Sequence, residues 1–332
     1  MPTRAETGFA LVFPRFSTSY EGMSEPRIPV DFCDWGVTCD KTDHGLYQVL
    51  RQRFPVKIAD RPKFLFYAHT GHHHRLFNCV RIYFTSEADR PPDWNVCDYA
   101  LTSAYSSDPR HLRFPPYALI FDAASLLHTP EEAAQIFPQK TKFCAFLSSY
   151  RNEKTRRRWD FFEKLSQYKK VDSAGRAGNN IGREIPHGIA PTMEFLRPYK
   201  FHLAFENKSV PGYISEKLLL GFSARCIPVY YGDPRVAEEF NPRRFLNYLD
   251  FPSEEALIER IKEIDADDNL YRQYLAEPIF RDNRPNVFFD PEYYLQFFEK
   301  VFTTPIAPMA LRHQQGWRKL LGRWTLAKAD KA

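Results

Sequence analysis

Apolar residues come along this chain in short, mostly unbroken runs bounded by polar turns. Phe143–Leu147 (FCAFL), Phe201–Phe205 and Ile227–Tyr231 are such runs, and Lys63–Ala68 (KFLFYA) is another. Runs of about four to eight apolar residues between turn signals read as buried strands. Val80–Thr85 alternates and is rich in β-formers, so it reads as a strand too. Residues 8–16 give a further strand, and residues 20–45, rich in Pro, Gly and Asp, read as loop. Between these runs the period changes. Trp159, Phe162, Leu165 and Ser166 repeat at three and four within residues 151–169, the spacing of one helical face. Residues 253–264 form an amphipathic helix on Leu257, Ile258, Ile261 and Ile264, with Ser253 as N-cap and Glu254 and Glu255 in the first turn. Pro291 opens a last helix carrying Tyr294, Phe297, Phe298 and Val301. Shorter helices are expected at 46–53 and 130–136.

One stretch concentrates this alternation. Tyr199 to Pro234 runs strand, polar loop, helix, strand, loop, about the length of one βαβ unit. Its polar residues fall at the carboxyl end of a strand (Glu206, Asn207) and at a helix start (Ser215, Glu216, Lys217), where α/β folds bind ligands. The pattern predicts an α/β chain of two domains facing a cleft, divided at the Pro- and Ser-rich connection before residue 140. The first domain is 1–140, the second 141–305, and 306–332 is a basic tail.

Composition narrows the picture. With 43% hydrophobic and 26% charged residues the chain is globular. A net charge of +5, with 41 acids against 46 bases, permits an anionic substrate without marking a nucleic-acid binder. None of the six cysteines forms a CxxC pair, and Cys79, Cys144 and Cys226 sit in apolar runs, so a reducing cytoplasm is expected; Cys33 with Cys39 is the one pairing a secreted chain would suggest. No stretch reaches the roughly 18 apolar residues of a membrane span, and the N-terminus lacks a signal-like segment. In the tail, Trp317, Leu320, Leu321 and Trp324 share a helical face among Arg318, Lys319, Arg323, Lys328 and Lys331. That pattern suits a peripheral membrane anchor or a helix packed back on the protein.

The chemistry is read largely from what is missing. There is no GxGxxG, GxxxxGK[ST] or GxSxG, and no Asp-x-Asp of the type that holds a metal diphosphate. The histidines at 69 and 72–74 lie in a loop without ligand spacing, so no metal site is expected there. Three arginines, Arg156, Arg157 and Arg158, stand at the start of a helix, where the dipole prefers acids. A bound diphosphate would supply the missing negative charge, or they form a solvated basic face. Arg158 and Lys217 fit the first reading, and Glu216 could accept from ribose hydroxyls. Glu87, just past the strand at Val80–Thr85, is either a cleft carboxylate or a solvated loop acid.

Three segments carry a resemblance. RIYFTSEADRPPDWNVCDYALT, FCAFLSSYRNEKTRRRWDFFEKLSQYKKVDSAG and FENKSVPGYISEKLLLGFSARCIPVYYGDPRVAEEFNPRRFLN, in chain order across roughly residues 78–250, resemble the family 10 fucosyltransferases, α1,3/4-fucosyltransferases that use GDP-fucose. The resemblance implies a GT-B fold of two Rossmann-like domains with the nucleotide on the C-terminal one. It implies Glu87 as catalytic base, Arg158 on the diphosphate, and Asn207, Tyr213, Glu216 and Lys217 at the donor site. It further implies inverting transfer of fucose without a required metal, onto a GlcNAc hydroxyl of an N-acetyllactosamine-type or lipopolysaccharide glycan. The missing N-terminal anchor resembles bacterial members, hence a cytoplasmic location with peripheral attachment to the inner membrane face through 317–331. Another nucleotide-sugar donor, or a non-catalytic binder of sugar nucleotides, remains the alternative.

Overall fold

A computed structural model describes residues 27–35, 40–127 and 129–305. The strand expected at 8–16, Cys39 and the basic tail lie outside the described residues. In chain order the elements are β1 (Ile28–Cys33), α1 (Gly45–Leu50), β2 (Val56–Ile58), β3 (Phe64–Tyr67), β4 (Val80–Phe84), β5 (Tyr99–Thr102) and β6 (His111–Arg113). There follow α2 (Ala123–Leu126), α3 (Pro130–Ile136), β7 (Lys142–Phe146), α4 (Arg156–Tyr168), β8 (Val171–Ser173), α5 (Ile189–Leu196) and β9 (Tyr199–Phe205). The last are α6 (Glu216–Ser223), β10 (Ile227–Tyr231), β11 (Leu246–Asn247), α7 (Glu254–Ala266), α8 (Asp268–Ala276) and α9 (Pro291–Thr303).

The strands make two sheets, ordered β2-β1-β3-β4-β5-β6 and β11-β10-β9-β7-β8. Every strand pair in both is parallel. Counting strands within each sheet, the second follows the doubly wound order 2-1-3-4-5 and the first extends it by a sixth strand to 2-1-3-4-5-6, and both reverse direction between the first and third strands. Parallel sheets are covered on both faces, which accounts for the unbroken apolar runs: all residues of β3, β4 and β5 are buried.

Residues 20–45 are not all loop. Ile28–Cys33 forms β1 in the middle of the first sheet. Pro29 and Asp31 interrupt its apolar run and hide it. Asp31 is buried because Lys41 bonds it at 2.5 Å, and a paired carboxylate can enter a core.

Contacts divide the chain into one unit ending at Phe114 and resuming at Asp290, and a second unit from Pro115 to Phe289. This differs from a division near residue 140. Tyr117, Phe121 and Leu126 are buried in the core of the second unit, and buried Lys140 donates to the carbonyls of Arg197 and Ala224, both at 2.7 Å. α9 belongs to the first unit. It buries Tyr294, Leu295, Phe298 and Val301, sets Phe302 edge-on to Phe64 at 4.7 Å, and pairs Glu292 with Arg53. Among the described residues no helix is long and apolar enough to cross a membrane.

Candidate active site

In the second unit the strand order reverses between β7 and β9, so a ligand is expected outside their carboxyl ends. β9 is held as far as Glu206, whose N–H donates to the Tyr231 carbonyl at 2.7 Å. The Glu206 side chain is buried. Its carboxylate accepts from Ser215 N–H at 2.8 Å and the Ser215 hydroxyl at 2.7 Å, and from Lys217 Nζ at 3.1 Å. Ser215 caps α6 by accepting from Lys217 N–H, and Glu216 in the first turn suits the helix dipole. One buried carboxylate thus ties the end of β9 to the start of α6 across the loop between them.

Lys217 also donates to the Ser215 hydroxyl at 2.8 Å and to Glu216 at 3.2 Å. Burial alone would lower its pKa. The carboxylates of Glu206 and Glu216 outweigh burial and hold the ammonium above its ordinary value. Burial works to raise the Glu216 carboxyl, and the neighbouring Lys217 charge reverses this, leaving it below the usual range.

The three arginines at the head of α4 separate by position. Arg156 is exposed and lies near Glu153 and Asp160, at 3.8 and 3.6 Å. Arg157 lies over the rings of Tyr231 and Tyr248, 5.0 and 5.6 Å from their centroids. It donates to the Tyr248 hydroxyl at 3.1 Å, which in turn donates to Glu254 at 2.7 Å. Arg158 is buried and donates to Asn207 Oδ1, and among the described residues its Nε has no hydrogen-bond partner. Burial pulls the Arg158 pKa down. Among the described residues no carboxylate forms an ion pair with it. A buried guanidinium left this way is suited to an anionic oxygen from a ligand.

These groups meet at a pocket of about 640 Å³ lined by residues 153–158, Asp160, residues 206–209, Tyr231 and Glu254. The expected residues Arg158 and Asn207 line it. Tyr213, Glu216 and Lys217 do not, though Glu206 joins Lys217 to it and Lys217 holds Glu216. Tyr213 is buried. Glu206 was marked by its place at the end of β9, whereas Tyr231, Tyr248 and Glu254 carried no such mark, although Tyr231 closes β10 at the same edge.

Glu87 stands in the first unit, exposed, on the loop after β4. Its N–H donates to the Thr85 hydroxyl at 3.1 Å. Tyr83 Oη donates to the Arg90 carbonyl at 3.4 Å, and Asp89 turns the backbone in the left-handed region at φ 54. Among the described residues no group of three or more His, Cys, Asp or Glu side chains is arranged to hold a metal ion.

The family model described as glycosyltransferase family 10 (fucosyltransferase) C-term matches residues 137–277. The model described as alpha-(1,3)-fucosyltransferase FucT N-terminal domain matches residues 30–120. The chain is 27% identical to the alpha-(1,3)-fucosyltransferase FucT of Helicobacter pylori over 271 residues, 70% of this chain and 55% of that protein. It is 31% identical to alpha-(1,3)-fucosyltransferase 4 of Bos taurus over 183 residues, 54% of this chain and 44% of that protein. The chain therefore spans about half the length of these curated relatives. A crystal structure of an alpha1,3-fucosyltransferase with GDP-fucose superposes with a TM-score of 0.70 at 24% identity, covering 90% of this chain and 96% of that one. That likeness shows the fold, which is GT-B.

Proposed function

We propose that this chain, which belongs to glycosyltransferase family 10, is an inverting α1,3-fucosyltransferase. Its donor is GDP-fucose and its acceptor a GlcNAc hydroxyl of an N-acetyllactosamine-type or lipopolysaccharide glycan. The observation that carries this reading is Arg158, buried beside Asn207 in the lining of a pocket that also presents Lys154, Arg156, Arg157 and Lys208, with no carboxylate ion-paired to it among the described residues. A nucleoside diphosphate supplies the missing charge. Arg158 contacts the diphosphate, Lys217 adds positive potential behind it, and Glu216 accepts from ribose hydroxyls. Asn207 and Tyr213 belong to the sugar side. Protein cations carry the leaving-group charge, so no metal is required.

Glu87 takes the proton from the acceptor hydroxyl. The freed oxygen forms a bond to fucose C1, the bond from C1 to the diphosphate oxygen breaks, and GDP leaves with that electron pair. One displacement inverts C1. A positioned base contributes about 10²–10⁴ in rate, so Glu87→Gln should lower kcat by about that factor while GDP binding stays within about twofold. Full activity in this variant removes Glu87 as base. Retention of configuration at C1, read by NMR of the product, overturns the single-displacement mechanism.

A further inference from the structure

We infer that His69 and Thr85 are positioning residues for Glu87, an inference that rests on the reading of Glu87 as the base. In the first sheet the strand order reverses between β1 and β3, and the residues just past the carboxyl ends of β1, β3 and β4 are joined by polar contacts. Thr85 is 1% exposed. Its Oγ1 accepts the Glu87 N–H at 3.1 Å and lies 3.3 Å from His69 Nδ1. A hydroxyl has one proton and two lone pairs. With one lone pair taken by Glu87, Thr85 Oγ1 keeps its proton and a second lone pair, so it pairs with His69 Nδ1 in either tautomer of the ring.

His69 is in turn fixed from the end of β1. The Thr70 hydroxyl donates to the Asp34 carbonyl. Asp34 Oδ1 accepts from His73 N–H at 3.0 Å, and Oδ2 accepts from His74 N–H at 3.1 Å and lies 2.8 Å from His74 Nδ1. Gly71 is required here, because a Cβ would lie 2.2 Å from Asp34 Oδ1. Asp34 itself sits in the left-handed region, φ 62, which aspartate tolerates better than most residues. The brace therefore runs from Asp34 through the 69–74 loop to His69, Thr85 and the Glu87 backbone. An exposed carboxylate on a loop needs such a brace, since displacing a catalytic group by about 1 Å can cost about a hundredfold in rate.

The test is steady-state kinetics of the full chain with GDP-fucose and N-acetyllactosamine, with GDP binding measured by calorimetry. Thr85→Val and His69→Ala should each lower kcat about tenfold to a hundredfold, leaving KM for GDP-fucose and GDP affinity within about twofold. Thr85→Ser and His69→Asn, which keep the hydrogen-bonding atoms, should recover to within about threefold. Adding Thr85→Val to Glu87→Gln should cost nothing further, because both act on one group. If Glu87→Gln is inactive and His69→Ala keeps full kcat, the brace is overturned and the base stands. If Glu87→Gln is active, base and brace fall together. Loss of GDP affinity in His69→Ala, or no recovery in the Ser and Asn variants, reduces these residues to structural ones and overturns the inference. His69 is half-buried on a loop, so its variants decide the matter if Thr85→Val does not fold.

Discussion

At the residue scale, Arg158 and Lys217 are both cations near one strand end, and their surroundings give them different jobs. Arg158 has a hydrogen bond to Asn207 and no ion pair among the described residues. Lys217 has its donors met by Glu206, Ser215 and Glu216. Arg158→Ala should weaken GDP binding about tenfold or more, with little change in melting temperature. Lys217→Ala should weaken GDP binding too, and it also strands the buried Glu206 carboxylate, at a cost on the order of 3–5 kcal/mol. Calorimetric titration and thermal melts of the two variants separate these outcomes. His202 makes a pH prediction. It lies buried on β9, and burial drives its pKa down to about 3. The unfolded chain, with an ordinary histidine, binds a proton that the native state refuses. Stability is thus whole above about pH 6.5 and falls as the pH drops toward 3, by up to about 1.4 kcal/mol per unit. His202→Leu, which cannot charge, should flatten the dependence of melting temperature on pH between 6.5 and 4. An unchanged slope would show that this histidine titrates normally.

At the element scale, the unit that matters is the turn from β9 through the loop to α6, backed by the end of β10. Gly232 ends β10, and a Cβ there would lie 2.2 Å from Tyr230 Oη and 2.7 Å from Glu206 Cγ. Both neighbours are buried, and Tyr230 Oη accepts the Asp233 N–H at 2.9 Å, so neither can yield cheaply. Gly232→Ala should cost about 1–3 kcal/mol and, by displacing Glu206, should lower GDP affinity as well. A variant with wild-type melting and GDP binding would contradict that linkage. Helices with a long apolar face were legible, since α4, α7 and α9 lie where the three-and-four spacing put them, whereas the shorter α8, which buries Tyr271 and Leu275, was not read. α5 was not either, because Pro191 sits inside it and Leu196 is its one buried residue. β1 was missed because Pro29 and Asp31 broke the run. One-dimensional spacing gave no physical reason to prefer Arg158 over Arg156 and Arg157; burial separates it from those two exposed neighbours.

At the scale of the whole molecule, two parallel sheets of matching strand order were only partly legible. Strand existence follows from apolar runs, but order does not, because strands covered on both faces carry no side-specific pattern to say who pairs with whom. The unit boundary was hidden for a related reason. Residues 115–140 look like a linker in composition and are packed as core through Tyr117, Phe121 and Leu126. α9 follows the second unit in sequence and joins the first. The polar groups at the carboxyl ends of both sheets were easier to find, since strand ends place them. The central claim is that these groups serve transfer of fucose from a guanine nucleotide. Its most direct test is GDP release by the full chain from GDP-fucose, with and without N-acetyllactosamine and with and without EDTA. Acceptor-dependent release that survives EDTA, with a fucosylated product, is the expected result. Transfer from a different nucleotide sugar, with none from GDP-fucose onto any galactosyl-GlcNAc acceptor, would contradict it.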